Sequence, residues 1–125
     1  MSYRRFRDYL TPAGNNDVHA WLRDLDVVDR QVIQAAIRVL ESIQRPSAKQ
    51  YKPLGKGIYE IRVKSRNVQF RPLCCDGPGR GNVTILFGAI EKDRKFVPRN
   101  ALKVAGSRRQ EVADDPGRTC EHRYD

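Results

Sequence analysis

Leu54-Gly55-Lys56-Gly57-Ile58-Tyr59-Glu60-Ile61-Arg62-Val63-Lys64 is where the hydrophobic rhythm of this chain changes. Before it, apolar residues recur every three or four positions. From Ile58 onward they alternate, so Tyr59, Ile61 and Val63 fall on one face of a strand and Glu60, Arg62 and Lys64 on the other. The switch from a helical to a strand period within one short chain predicts an α+β fold. On the N-terminal side, Tyr3 to Leu10 suits a first strand at a sheet edge, ended by Thr11-Pro12-Ala13-Gly14. Asn16 or Asp17 then caps a helix whose stripe is Val18, Trp21, Leu22 and Leu25, with Trp21 as a core anchor. Asp26 or Asp29 caps a second helix carrying Ile33, Ala36, Ile37, Leu40 and Ile43 or Gln44, which Arg45-Pro46 stops. Ser47 to Gly57, broken by Pro53 and two glycines, reads as a linker loop bearing Lys49, Lys52 and Lys56.

On the C-terminal side, Ser65-Arg66-Asn67 turns the chain into a strand where Val68 and Phe70 point inward. Gln69 and Arg71 point the other way, which puts Arg62 and Arg71 on one open face. Pro72 cannot donate to a sheet ladder and implies a bulge or an unpaired side. Asp76 to Asn82 is a glycine-rich hairpin loop that lacks the pattern of a phosphate cradle. Val83 to Ile90 is a nearly continuous apolar strand, expected near the centre of a sheet. After the charged turn Glu91 to Lys95, Pro98 begins a short helix through Ala101, Leu102 and Ala105, with Gly106 at its end. Residues 1–110 are thus expected to form one domain, an N-terminal strand and helix hairpin packed on a small antiparallel sheet with a short C-terminal helix. Residues 111–125, without a periodic apolar face, are expected to be a disordered acidic tail.

Charge is distributed unevenly along this framework. Arg45 to Arg109 holds sixteen Lys and Arg against Glu60, Asp76, Glu91 and Asp93, while residues 1–44 carry six of each sign. A basic block of this kind on a small domain points to a polyanionic partner, because each phosphate contact releases counterions. No run approaches the ~20 apolar residues of a membrane helix, and the N-terminus has no apolar signal core, so a cytoplasmic protein with no membrane partner is expected. Three cysteines without Cys-x-x-Cys spacing, two of them the neighbours Cys74 and Cys75, read as reduced thiols. His19 and His122 are far apart, and no metal site is expected.

Specific residues then attach to the predicted order of elements. Trp21-Leu22 with Leu25, the segment Leu54 to Arg62, Phe70-Arg71, Gly88-Ala89-Ile90-Glu91-Lys92, Lys95, Pro98 and Ala105 together resemble the RelE/ParE toxin superfamily, nearest its HigB-like, phage-derived branch. The resemblance spans roughly residues 3–109. It implies a RelE-like fold and a toxin of a type II toxin–antitoxin system: a ribosome-dependent endoribonuclease that cuts messenger RNA by 2′-hydroxyl attack, without metal or cofactor. It also implies three partners, the ribosome, its messenger and a cognate antitoxin with a DNA-binding part.

RNA cleavage of this type needs a proton acceptor, cations for the charge growing on phosphorus and a donor for the 5′-oxygen. The candidate catalytic residues are Lys56, Arg62, Arg71, Lys92 and Lys95. Arg62 and Arg71 are assigned to the phosphate, since a guanidinium fork fits its geometry. One of Lys52, Lys56, Lys92 or Lys95 is the candidate proton acceptor. Lys52, Lys64, Arg66, Arg94 and Phe96 are the candidate RNA-binding residues, Phe96 by stacking. Phe96 stands where related toxins often place a tyrosine or histidine, and His122 and Tyr124 are expected to stay in the tail. Two rivals remain at this point: a ParE-like inhibitor of DNA gyrase, and a catalytically inactive RelE-fold nucleic-acid-binding or prophage protein.

Overall fold

A computed structural model describes residues 2–125. Its elements are β1 (Arg5–Tyr9), α1 (Asp17–Asp24), α2 (Val27–Ser42), β2 (Tyr51–Gly55), β3 (Ile58–Ile61), β4 (Val63–Ser65) and β5 (Val68–Phe70). They continue as β6 (Leu73–Asp76), β7 (Asn82–Phe87), β8 (Ile90–Lys92), β9 (Lys95–Val97), α3 (Ala101–Asp114) and β10 (Thr119–Glu121). The α+β class holds. Both helix caps follow the sequence: the Asn16 side chain accepts from the His19 N–H and that of Asp26 from the Val28 N–H. No helix among the described residues is long and apolar enough to cross a membrane.

The strands form two sheets, where the sequence suggested one small antiparallel sheet. A six-stranded sheet runs β10-β1-β7-β6-β3-β2 and a four-stranded sheet runs β4-β5-β8-β9. Helices α1 and α2 cover one face of the large sheet, over Phe6, Ile61, Cys74, Val83 and Ile85. Helix α3 covers the other, over Ile58, Leu73, Cys75 and Leu86. Burial on both faces explains why β7 reads as an unbroken apolar run. It also sends Cys74 and Cys75 into two different cores, as free thiols. Their burial pushes both thiols up, Cys75 to about 11.

Four expectations are corrected here. Strand β1 lies inside the large sheet, parallel to β7 and antiparallel to β10, because the chain end supplies a strand that covers its outer side. The middle of the expected linker is the edge strand β2 (Tyr51–Gly55), whose Pro53 sits where a missing N–H costs little. Helix α3 passes through Gly106 to Asp114, eight residues beyond its expected end, since its partly apolar face continues through Val112. Residues 111–125 are ordered. The acidic stretch finishes α3, forms β10 and ends in a buried cluster around His122, whose Nδ1 lies 2.7 Å from Asp8 and whose Nε2 lies 2.7 Å from Gln34. Tyr124 also folds back, donating to Glu41 over 2.8 Å beneath the Arg38 guanidinium.

Candidate phosphate-binding site

The change of hydrophobic period after Gly57 leads into a physical seam between the two sheets. Three neighbouring segments cross from one sheet to the other at Arg62, at Arg71-Pro72 and at Gly88-Ala89, none of which lies within a strand. Backbone hydrogen bonds knit the crossings: Ile61 N–H to Pro72 O over 2.9 Å, Arg62 N–H to Gln50 O over 2.8 Å, and Arg71 N–H to Ala89 O over 2.8 Å. The third crossing needs a glycine for its closeness, because a Cβ at Gly88 would fall 2.1 Å from the Trp21 ring. Trp21 thus anchors the seam as well as the core.

At the seam strict alternation fails, and two charged residues turn inward. Glu60 is 3% exposed and Arg71 only 1%, which makes Arg71 the largest fully buried side chain of the protein. The expectation that Arg71 lies on an open face is therefore corrected. Its Nε lies 3.2 Å from Glu91 Oε1 and 3.9 Å from Glu60 Oε2, one terminal nitrogen donates to Phe70 O over 2.9 Å, and the other bonds Gln69 Oε1. Arg62 reaches the same Glu60 oxygen at 3.5 Å, with its side chain about a third exposed. Burial raises the proton affinity of Glu60, and the guanidinium of Arg71, then that of Arg62, offsets part of the rise. The result is a carboxyl group held between two guanidiniums but kept readier to take a proton than an ordinary glutamate.

In front of this cluster lies a shallow pocket of about 190 Å³ lined by Lys49, Arg62, Val63, Lys64, Gln69 and Arg71. Four cations and no acid line it. Lys52 stands opposite Glu60 across the β2–β3 ladder and adds to its electrostatic field. The seam thereby gathers Arg62, Arg71, Lys52 and Lys64 from the residues singled out in the sequence.

The remaining candidates lie elsewhere. Lys92 and Lys95 face each other at the end of the β8–β9 hairpin, whose turn residues Asp93 and Arg94 take positive φ. Lys56 occupies the β2–β3 turn, six residues before the seam's Arg62 and at the opposite end of β3. That turn packs on Arg109 of α3, whose guanidinium sits where a Gly57 side chain would be. Arg66 is engaged in structure: its guanidinium bonds both oxygens of Asp29, at 3.1 and 2.9 Å, and ties the β4–β5 turn to α2. Phe96 packs against the core under α3 and is partly buried, which limits its face for stacking.

Three participants escaped the sequence reading: Glu60, Glu91 and Gln69, with Lys49 as a fourth on the rim. Glu60 looks exposed by alternation. The available signal was Pro72 directly after Phe70-Arg71, since a strand that cannot continue its ladder need not keep its side chains on their expected faces.

A family model described as "Phage derived protein Gp49-like (DUF891)" matches residues 20–110. That stretch contains the entire seam, from Trp21 to Glu91, and leaves out β1, β10 and the His122 cluster. No curated protein and no solved structure gives a significant match.

Proposed function

The chain belongs to the Gp49-like family of phage-derived proteins, and from that premise we propose that it is a RelE-type toxin of the HigB-like branch, a ribosome-dependent endoribonuclease restrained by an antitoxin. One observation carries the reading: a buried, proton-accepting carboxyl group backed by two arginines directly behind a pocket lined by four cations and no acid. The residues that make it lie within the matched stretch.

In the proposed reaction the phosphate of the scissile linkage occupies the pocket, and Arg62 leaves its loose 3.5 Å contact with Glu60 to grip a phosphate oxygen. Glu60 then accepts the proton of the ribose 2′-hydroxyl as the 2′-oxygen bonds to phosphorus. Arg71, fixed by Glu91, Gln69 and the Phe70 carbonyl, holds Glu60 in place and stabilises the charge growing on the phosphorane. The bond to the 5′-oxygen breaks, and a rim ammonium, Lys64 or Lys49, supplies its proton. The products are a 2′,3′-cyclic phosphate and a 5′-hydroxyl. Glu60 thus takes the role first given to Lys52, Lys56, Lys92 or Lys95, and the lysines of the β8–β9 hairpin become contacts for the ribosome or the flanking messenger.

The test is induced expression in a bacterium, alone and together with the short reading frame expected beside the gene. The native chain is expected to arrest growth and translation, the neighbouring product to relieve the arrest, and Glu60→Gln to be harmless at equal expression. Arrest that persists in Glu60→Gln, or inhibition of gyrase supercoiling with messenger left intact, would overturn the proposal.

A further inference from the structure

Helix α2 carries two stripes. Asp29, Ile33, Ile37 and Leu40 face the core, as the amphipathic pattern demands. A second stripe lies on solvent: Val28 is 45% exposed, Val32 37% and Val39 45%, and Ala35 between them is exposed as well. Their spacing of four, three and four residues is that of a coiled-coil seam, with valines at the positions where β-branched side chains suit close helix pairing. No element among the described residues covers it.

We propose that this stripe is a self-association surface, and that α2 pairs antiparallel with α2 of a second copy. Symmetry identifies the occupant. A spacing of four, three and four reads the same in both directions, so a two-fold axis crossing α2 between Ile33 and Gln34 sets Val28 against Val39 of the partner subunit and Val32 against Ala35 of the partner subunit. The flanks agree. Gln31 comes beside Arg38 of the partner subunit, with no like charges facing.

The ends decide between antiparallel and parallel pairing. Asp24 lies three residues before α2 and Arg45 three residues after it; both are exposed, and neither takes part in an ion pair among the described residues. Antiparallel pairing brings acidic and basic ends together at both ends of the interface and also opposes the helix dipoles. Parallel pairing would put like charge on like. A single sixteen-residue helix covers less than the roughly 800 Å² per partner of a standard interface, so the dimer is of the micromolar kind. The surface lies on the opposite side of α2 from its core-facing residues, and the inference is independent of the enzymatic reading.

Sedimentation velocity of the full chain from about 5 to about 500 µM tests this. The native protein is expected to rise with concentration from 14.4 kDa toward twice that mass. Val32→Glu should stay monomeric throughout with an unchanged far-UV spectrum, because its site is on the surface. Asp24→Lys and Arg45→Glu should each weaken the dimer by several-fold, and the double variant should restore it. A native chain that stays monomeric across the range overturns the proposal, and so does a Val32→Glu variant that still dimerises. Failure of the double variant to regain what both single changes lose overturns the antiparallel arrangement.

Discussion

The cluster around Asp8 and His122 and the cluster around Glu60 and Arg71 both bury ionisable groups against the large sheet, yet they face different surroundings. Around Asp8 every polar atom has a partner: Asn16 donates to one carboxylate oxygen over 2.9 Å, His122 meets the other, and Gln34 joins His122 to the Arg123 carbonyl. The cleft outside it mixes Arg5 and Arg7 with Glu41 and Glu121. Around Glu60 the packing is looser, with ion-pair distances of 3.2 to 3.9 Å, and the only charged residues lining the adjoining pocket, among the described residues, are cations. A sealed, fully partnered cluster fastens a chain end. A strained balance of charges that opens on uncompensated cations can exchange an internal partner for a phosphate.

The largest effect that separates the two clusters is expected from Arg71→Met. It leaves Glu60 and Glu91 facing each other without their shared guanidinium, at a cost of about 3–5 kcal/mol, read as a fall in melting temperature together with loss of toxicity. Next comes Arg62→Gln, which should keep the native melting temperature and lower messenger cleavage about a hundredfold, or ~2.7 kcal/mol in the barrier. A loss of stability smaller than that of Arg71→Met, about 1–3 kcal/mol, should follow His122→Ala through the unpaired Asp8 and Gln34 it leaves, while the variant remains toxic at temperatures where it is folded. If His122→Ala abolished cleavage in a folded protein, the contrast between the clusters would be broken.

Acid sharpens the same contrast. The folded-state proton affinity of Glu60 is raised, so the folded protein holds this proton at pH values where the unfolded chain has released it. Stability therefore falls as the pH rises from the ordinary glutamate range through the raised value, and Glu60→Gln should flatten denaturation midpoints across that interval. If the proposed reaction holds, cleavage by the native chain should switch on over the same interval as the carboxylate forms. The smallest effect is expected from Arg66→Ala: its ion pair with Asp29 lies on the far end of the β4–β5 hairpin from the pocket, and cleavage should stay within a few-fold of native.

Much of this was legible in the residues themselves. Caps at Asn16 and Asp26, the stripes of α1 and α2, the start of strand structure after Gly57 and the basic block all follow from local rules and appear in the structure. What was not legible depends on contacts between distant segments. The split of 58–65 into two sheets at Arg62 is imposed by Gln50 and Pro72. The inward turn of Arg71 requires two acids brought from 11 residues before it and 20 after it. The ordering of the last residues rests on Asp8 and Gln34, more than eighty positions away. Composition marked that segment as polar and therefore disordered, but its partners are in the body of the domain.

The most direct test maps the ends of messenger RNA in a purified translation reaction, with and without ribosomes, comparing the native chain with Arg62→Gln and Arg66→Ala. Native and Arg66→Ala chains are expected to leave ribosome-dependent 5′-hydroxyl ends that Arg62→Gln does not produce. Intact messenger with the native chain, or cutting by Arg62→Gln at the native rate, would contradict the assignment of the seam as a nuclease site.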